Sequence, residues 1–160
     1  MAATPAVRIL ERAGVPFTLH EYDPATAGPG AHGCGEVAVN ALGSDPARVF
    51  KTLVTRVDGA LTVAVVPVSG QLDLKALAHA AGGRKAVMAE PADAERTTGY
   101  VRGGISPLGQ RKALPTVVDD SALGFDTVLV SGGRRGLQVE LPPADLVRLC
   151  RARTGAIARC

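Results

Sequence analysis

The sequence predicts an α+β fold built on a mixed, curved sheet. About seven β-rich segments lie along the chain, each bounded by turn residues. The helical segments fall between them at irregular spacing, whereas repeated βαβ units would alternate strands and helices regularly. Hydrophobic residues make up 46% and charged residues 21% of the chain, a mix typical of globular proteins. Because 160 residues is a usual length for one domain, we predict a single domain over residues 1–160.

The N-terminal segment predicts a short amphipathic helix. Thr4 suits the N-cap, Pro5 suits the first helical position, and Gly14 ends the segment. Val7 and Leu10 would then share one face of the helix. The elements predicted next are a strand at 17–22, a loop at 25–35, a helix at 36–42 and a short helix that begins at 44–46.

A hairpin of two long strands is predicted in the middle of the chain, at 49–56 and 61–68. Asp58-Gly59 lies between them, and this dipeptide tolerates the positive φ that tight hairpin turns require. Both strands are apolar on both faces, which predicts a central position in the sheet. The elements predicted after the hairpin are a helix at 73–81, a strand at 85–88, a helix at 91–98, a loop at 99–109, strands at 116–119, 127–131 and 137–141, and a C-terminal helix that begins at 142–143.

The sequence gives no indication of a membrane protein. The apolar run from Val63 to Val68 is far shorter than the roughly 20 residues that a membrane helix requires. The N-terminal segment carries charged residues and has no apolar core of the kind found in secretory signals. We therefore expect a cytoplasmic protein without a membrane partner.

The cysteines and histidines predict neither a disulfide framework nor a metal site. The three cysteines are an odd number without a CxxC pair, which is typical of a reducing compartment. The three histidines are too far apart to form the helical pair or the Cys/His cluster of a zinc site, so we expect no metal and no cofactor. The residues are Cys34, Cys150, Cys160, His20, His32 and His79.

The basic charge is concentrated in the last 65 residues. Residues 1–95 hold 8 Lys/Arg and 10 Asp/Glu, a balance of −2, and residues 96–160 hold 10 and 5, a balance of +5. With only five aromatic residues, a nucleic-acid surface made of stacking rings is disfavoured, and any RNA contact would be electrostatic. A phosphate-bearing partner is one interpretation and a solvated surface is the other. The basic residues in glycine-rich turns are Arg102, Arg111, Lys112, Arg134 and Arg135.

Lys51 is a candidate for electrostatic catalysis. Strand alternation places it on the same face as Val49 and Leu53, so its ammonium group either reaches the rim of the sheet or lies in a pocket. In an apolar pocket a lysine is stabilised by an anion or by the oxyanion of a transition state. The alternative is a lysine that protects an edge strand from aggregation. Position alone leaves both interpretations open.

Two glycine-rich loops, 103–107 and 131–136, could bring backbone N–H groups close to a ligand. Neither loop matches a Walker A motif, a dinucleotide-binding motif or a nucleophile elbow. Ser131 has no neighbouring histidine or acid in the sequence that would mark it as a nucleophile. Cys34 precedes a predicted helix N-terminus and lies close to His32, so a thiol nucleophile is an alternative to be tested.

Taken together, several motifs closely resemble the YbaK/EbsC family in order and spacing, and the resemblance covers nearly the whole chain. The motifs are Arg48-Val49-Phe50-Lys51-Thr52-Leu53, Pro67-Val68-Ser69-Gly70-Gln71-Leu72-Asp73, Thr98-Gly99-Tyr100, Gly103-Gly104-Ile105-Ser106-Pro107-Leu108-Gly109 and Ser131-Gly132-Gly133-Arg134-Arg135-Gly136-Leu137.

The resemblance implies a β-barrel-like mixed sheet flanked by helices, and the activity of a free-standing editing deacylase. Such a protein removes cysteine from Cys-tRNA(Pro), the mischarged product of prolyl-tRNA synthetase, and from Cys-tRNA(Cys). The resemblance further implies that the thiol of the substrate attacks its own carbonyl group, which releases tRNA and a thiolactone. Lys51 corresponds to the essential lysine. The residues that correspond to substrate-binding positions are Tyr22, Thr52, Gly103, Gly104, Ser131 and Arg135.

Two positions differ from the family pattern. The chain has His32-Gly33 where relatives carry an aromatic residue before the glycine, and it has Gln138 where relatives carry an acidic residue. Both positions are expected near the pocket, so the amino acid that is removed could differ. The alternatives are a deacylase of another mischarged tRNA, such as Ala-tRNA(Pro), and a nonenzymatic module that binds tRNA or a synthetase.

Overall fold

The computed structural model of the protein describes residues 3–26, 39 and 42–159. Helix α1 (Pro5–Ala13) begins after Thr4, whose side-chain oxygen accepts a hydrogen bond from the N–H of Val7 at 3.2 Å. The helix ends at Gly14, which has a φ of 67°. The predicted helix and both of its caps are confirmed.

The segment before the central hairpin differs from the prediction at one point. The helix predicted at 36–42 lies outside the described residues apart from 39 and 42. At 44–46, where a short helix was predicted to begin, the structure has a single turn in which the N–H of Arg48 donates to the carbonyl of Asp45 at 2.9 Å. The prediction is wrong because Val49 already pairs with Leu129, so the chain must be extended there.

The central hairpin is confirmed. Strands β2 (Phe50–Val57) and β3 (Ala60–Pro67) pair along their full length. Asp58 and Gly59 join them with φ values of 50° and 86°, the positive values that the dipeptide predicted.

The remaining elements confirm the other predicted helices and strands to within a few residues. They add three strands of two or three residues that were not predicted, β4, β9 and β10. In chain order the remaining elements are β1 (Thr18–Glu21), a 3-10 helix (Pro24–Thr26), β4 (Gln71–Leu72), α2 (Leu74–Ala80), β5 (Ala86–Met88), α3 (Pro91–Thr98), β6 (Thr116–Asp119), a second 3-10 helix (Asp120–Gly124), β7 (Val128–Ser131), β8 (Leu137–Leu141), α4 (Pro143–Cys150), β9 (Arg153–Gly155) and β10 (Ala158–Arg159).

The described strands form three sheets. The largest has the order β5-β2-β3-β6-β9, in which β3, β6 and β9 are parallel and the other pairs are antiparallel. An antiparallel sheet has the order β1-β8-β7, and β4 pairs with β10. Among the described residues, one parallel bridge, between Val49 and Leu129, joins the two larger sheets. The predicted α+β fold with a mixed sheet and flanking helices is confirmed.

Two hydrophobic clusters lie on opposite faces of the five-stranded sheet. The larger cluster, which includes Phe50 and Val65, packs against the inner face of the three-stranded sheet and against α1 and α4. The smaller cluster, which includes Val66 and Leu77, packs against α2. Successive side chains of β2 therefore point to different clusters. Within the described residues, no helix is both long enough and apolar enough to cross a membrane.

Candidate active site

Gln138 of β8 lies between His20 of β1 and Ser131 of β7. It is the register partner of both residues. Directly opposed side chains of antiparallel strands project from the same face of a sheet. That face points away from the larger cluster, because the alternate residues Leu19 and Val139 pack into that cluster. The three polar side chains therefore lie together on the outer face of the sheet.

Lys51 continues this arrangement on the next strand. Val49 and Leu129 form the parallel bridge, and the N–H of Leu129 donates to the carbonyl of Arg48 at 3.1 Å. Lys51 and Ser131 each follow the bridge by two positions, so strand alternation places both on the face of the bridged pair. The resulting row across four strands, named the polar row, consists of His20, Gln138, Ser131 and Lys51.

Lys51 is half-buried on an interior strand. Strand β2 lies between β5 and β3, and β5 pairs with β2 only at Thr55, Arg56 and Val57, beyond Lys51. Its register partner Val66 belongs to the smaller cluster, against which Leu53 also packs. In the described part of the chain, the side chain of Lys51 forms no hydrogen bond and no ion pair. An ammonium group with apolar neighbours and no partner can stabilise negative charge on a ligand.

Thr52 points away from the polar row. It follows Lys51 on β2 and therefore shares the opposite face with Phe50, which is part of the larger cluster. Its side-chain oxygen is buried and has no hydrogen-bond partner in the part of the chain that the structure describes. The sequence grouped Thr52 with Lys51 as a site residue, but the structure does not bring the two side chains together.

The two glycine-rich loops pack directly against each other. A Cβ atom on Gly104 would lie 2.8 Å from the Cα of Arg134, and a Cβ atom on Gly103 would lie 2.5 Å from the Nε of Arg135. The Nε of Arg135 also donates a hydrogen bond to the carbonyl of Arg102 at 3.2 Å. The glycines therefore allow the two loops to pack closely against each other. It places Gly103, Gly104 and Arg135 together at the end of β7.

Ser131 begins the second glycine-rich loop and is buried. Its hydroxyl oxygen accepts a hydrogen bond from the N–H of Gly133 at 3.2 Å. No histidine or acidic side chain among the described residues forms a hydrogen bond with Ser131, so the serine has no general base beside it. The structure agrees with the sequence in giving Ser131 no feature of a nucleophile.

Tyr22 lies at the end of the same loop. Its N–H donates to the carbonyl of Gly136 at 2.9 Å. A Cβ atom on Gly136 would lie 2.6 Å from the carbonyl oxygen of Tyr22, so only glycine fits at that position. Tyr22 follows His20 by two positions and continues the same side of β1. The structure thus brings Tyr22 and Ser131 to one loop.

A polar cluster next to the polar row joins His20, Glu140, Thr127 and Arg48. The sequence did not predict it, because His20 was considered only as a metal ligand. The Nε2 of His20 lies 2.8 Å from the Oε1 of Glu140. The Oε2 of Glu140 accepts hydrogen bonds from the hydroxyl of Thr127, at 2.6 Å, and from the guanidinium of Arg48. The bonds from Thr127 and His20, with the charge of Arg48, hold the pKa of Glu140 below its usual value. Because 120 positions separate His20 from Glu140, only the strand register reveals this pair.

Gln138 has an unsatisfied side-chain oxygen at the centre of the polar row. The residue is 2% exposed, and its Oε1 has no hydrogen-bond partner among the described residues. Leaving a buried acceptor unpaired costs about 1–3 kcal/mol. A ligand that carries a hydrogen-bond donor would remove that cost.

Several of the basic side chains in the glycine-rich turns are exposed at the surface. Arg102 and Arg135 are in contact through the hydrogen bond between the two loops. Arg134 is partly neutralised, because its guanidinium lies 3.7 Å from the carboxylate of Glu21. The exposed basic residues are Arg102, Arg111, Lys112 and Arg135.

The structure describes one of the three cysteines, Cys150. Burial raises the pKa of Cys150 to about 12, and its thiol donates to the carbonyl of Pro107 at 3.2 Å. This thiol is protonated at neutral pH. Cys34, Cys160 and His32 lie outside the described residues. Among the residues that are described, no group of three or more His, Cys, Asp or Glu could hold a metal ion.

Comparison with known proteins identifies relatives that match most of the chain. The family of aminoacyl-tRNA editing domains matches residues 28–149. EbsC of Enterococcus faecalis (strain ATCC 700802 / V583) is 40% identical over 148 residues, which cover 91% of this chain and 87% of EbsC. That protein bears the provisional name of a Cys-tRNA(Pro)/Cys-tRNA(Cys) deacylase.

A second relative and a solved structure extend the comparison. ProXp-y of Escherichia coli (strain K12), named a multifunctional Ser/Thr-tRNA deacylase, is 32% identical over 106 residues, which cover 63% of this chain and 64% of that protein. The solved structure, provisionally described as a trans-editing enzyme for prolyl-tRNA synthetase, has a TM-score of 0.82 and 24% identity. The match covers 99% of this chain and 100% of the solved chain. At this identity it shows that the fold is shared.

Proposed function

Because this chain belongs to the YbaK/EbsC family of aminoacyl-tRNA editing domains, we propose that it is a deacylase that removes cysteine from mischarged Cys-tRNA(Pro) and from Cys-tRNA(Cys). The observation that carries this proposal is the position of Lys51, half-buried and unpaired among the described residues at one end of the polar row. The 40% identity to a relative named for the same two substrates supports it.

Lys51 is the catalytic residue of the proposed reaction. When a nucleophile attacks the carbonyl carbon of the aminoacyl ester, negative charge develops on the carbonyl oxygen. The ammonium group of Lys51 stabilises that charge, and removing one such electrostatic contact typically costs a factor of about 10²–10³ in rate. Backbone N–H groups can add to this stabilisation.

The nucleophile in this proposal is the thiol of the substrate. Its sulfur forms a bond to the ester carbonyl carbon, the bond from that carbon to the ribose oxygen of the tRNA breaks, and a thiolactone leaves. This route requires the protein to orient the substrate and to stabilise charge, and it requires no protein nucleophile. The bond from Gly133 to Ser131 and the raised pKa of Cys150 support this assignment, because neither side chain is activated.

The loop that begins at Ser131 forms the substrate-binding side of the proposed site. Ser131 and Tyr22 contact the aminoacyl group, while Gly103 and Gly104 fix the position of the second loop through their packing. Arg135, at the outer side of the same loop, binds a phosphate of the tRNA. Thr52 contributes to substrate binding through its backbone, since its side chain points to the larger cluster.

The proposed partners are aminoacyl-tRNA and prolyl-tRNA synthetase, and the reaction takes place in the cytoplasm. The exposed Arg102 and Arg135 give the tRNA a positively charged contact that reads no base sequence. These contacts do not distinguish one tRNA from another. A synthetase that already holds tRNA(Pro) would supply that selectivity.

The test is the loss of the ester from tRNA(Pro) and tRNA(Cys) charged with cysteine, alanine, serine or proline. We expect loss of cysteine from both tRNAs, with thiolactone as the first product, and no loss of proline. Lys51→Ala should abolish the reaction, whereas Lys75→Ala, at an exposed lysine on α2, should not. Binding of tRNA without any ester loss, with or without the synthetase, would instead support a nonenzymatic module.

Deacylation of Ser-tRNA or Thr-tRNA is the second candidate function. It is favoured by the relative named a Ser/Thr-tRNA deacylase and by the neutral carboxamide of Gln138, which can hydrogen-bond a hydroxyl group. Faster loss of serine or threonine than of cysteine in the same assay would support it. Loss of alanine would indicate the Ala-tRNA(Pro) alternative.

A further inference from the structure

The imidazole of His20 is held in one orientation by a carboxylate. Its Nε2 lies 2.8 Å from the Oε1 of Glu140. The other oxygen of Glu140 is fixed by the hydroxyl of Thr127, at 2.6 Å, and by the guanidinium of Arg48. Arg48 is itself anchored, since its Nε donates to the carbonyl of Thr127 at 2.9 Å. Because these donors immobilise the carboxylate, the ring of His20 has a fixed partner.

The protonation of Glu140 determines which ring nitrogen of His20 is free. The lowered pKa of Glu140 means that its carboxylate is ionised at neutral pH, and an ionised carboxylate only accepts hydrogen bonds. The Nε2 of His20 therefore carries the proton, which leaves a lone pair on Nδ1 in the neutral ring. Within the described residues, the ring of His20 forms no second hydrogen bond, so nothing there occupies Nδ1.

His20 also lies on the correct face for the proposed reaction. It is the register partner of Gln138, which in turn pairs with Ser131, and its side chain is 33% exposed. The ring thus stands at one end of the polar row, with Lys51 at the other end. A histidine that is oriented by a carboxylate and has its second ring nitrogen free has the arrangement of a general base.

We propose that His20 is a second catalytic residue of this site and acts as the general base for the attacking group, with Glu140 as its positioning residue. The proposal rests on the deacylase function proposed above. The Nδ1 of His20 takes the proton from the substrate thiol as the sulfur bonds to the ester carbonyl carbon. When the carbon–oxygen bond to the tRNA breaks, the imidazolium returns that proton to the departing ribose oxygen. Atoms and charges balance, and His20 ends the cycle neutral.

The experiment compares His20→Gln, His20→Ala and the native protein in single-turnover deacylation of Cys-tRNA(Pro). In His20→Gln the side-chain amide can still donate to Glu140 but cannot accept a proton, so a purely structural role would be preserved. We expect the rate to fall by about 10²–10⁴-fold with little change in substrate affinity or melting temperature. In His20→Ala, added imidazole should restore part of the rate in a saturable way. Lys51→Ala should show no such rescue.

The outcomes separate this inference from the proposed function. If the native protein removes no amino acid from any charged tRNA, the proposed function fails and the role of His20 fails with it. If the native protein is active and His20→Gln keeps its rate within about threefold, only the role of His20 is wrong. A folded His20→Ala variant that is inactive and is not rescued by imidazole would also overturn the inference. Should His20→Gln unfold, the rescue of His20→Ala decides the question.

Discussion

A Cβ atom on Gly104 would lie 2.8 Å from the Cα of Arg134, so the two glycine-rich loops can pack together only because Gly104 has no side chain. The neighbouring atoms belong to the backbone and cannot rotate away. We therefore expect Gly104→Ala to lower the free energy of unfolding by about 1–3 kcal/mol. Urea denaturation measures this change, and deacylation should fall with it because Arg135 is displaced.

The matched control for this prediction is Gly124→Ala. No atom of the described residues lies within 4 Å of a Cβ atom at Gly124, so the free energy of unfolding of this variant should change by less than about 0.5 kcal/mol. Equal stabilities of the two variants would show that the loops are not tightly packed against each other.

Lys51→Ala should lower the rate of deacylation by at least about 100-fold and leave the melting temperature nearly unchanged. The lysine forms no ion pair among the described residues, so its loss breaks no contact that holds the sheet together. Lys51→Arg should be intermediate, because the guanidinium keeps the charge but has a different shape. Deacylation rates and thermal unfolding test both variants. A folded Lys51→Ala variant with the native rate would show that the lysine has no catalytic role.

Local features of the fold could be predicted from the sequence, and features that depend on distant pairing could not. The caps of α1 at Thr4 and Gly14, and the turn at Asp58-Gly59, each depend on a few adjacent residues. Strands β4 and β10 have two residues each and exist only because they pair with each other. Nothing in either segment alone predicts a strand.

The candidate site shows the same division. Strand alternation correctly placed Lys51 with Val49 and Leu53. The same alternation puts the side chain of Thr52 on the opposite face of the strand from Lys51, although the family resemblance had grouped the two residues. The pair formed by His20 and Glu140 could not be predicted, because the strands that carry them are 120 positions apart. Their contact depends on the register of β1 against β8.

Cys150→Ser should keep the native rate of deacylation within about twofold. The raised pKa of Cys150, about 12, keeps its thiol protonated and therefore unreactive at neutral pH. Cys34→Ser and Cys160→Ser should also remain active, since the proposed nucleophile belongs to the substrate. The measurement is the rate of ester loss for each variant. Loss of activity in a folded Cys34→Ser variant would instead establish a thiol enzyme.

The contribution of Glu140 to stability should depend on pH. Its folded-state pKa lies below the usual value, so its ionised form is favoured by folding. That contribution is fully present above the pKa of the unfolded state and is lost as the pH falls through the folded-state pKa. Glu140→Gln should therefore be less stable than the native protein near neutral pH, and the difference should shrink in acid. Urea denaturation from pH 7 to pH 3 measures it, and a constant difference would exclude this role of the carboxylate.

Binding of tRNA should be weak, strongly dependent on salt and poorly selective between tRNA(Pro) and tRNA(Cys). The described surface offers exposed arginines for phosphate contacts, and such contacts read no base sequence. Arg135→Glu and Arg102→Glu should each weaken both tRNAs alike and reduce the slope of log affinity against log salt by about 1. Lys75→Glu, on α2, is the matched control and should change neither quantity. Arg134→Glu is less informative, because the new carboxylate would lie next to that of Glu21 and the two would repel each other.

Prolyl-tRNA synthetase should then supply the selectivity that the isolated protein lacks. Alone, the protein should deacylate Cys-tRNA(Pro) and Cys-tRNA(Cys) at similar rates. With the synthetase present, the bound tRNA(Pro) is held at a high effective concentration, so its deacylation should accelerate while that of Cys-tRNA(Cys) does not. Deacylation of both substrates with and without the synthetase, at low and high salt, measures this. A strong preference of the isolated protein for one tRNA, unchanged by salt, would mean that base-specific contacts determine recognition.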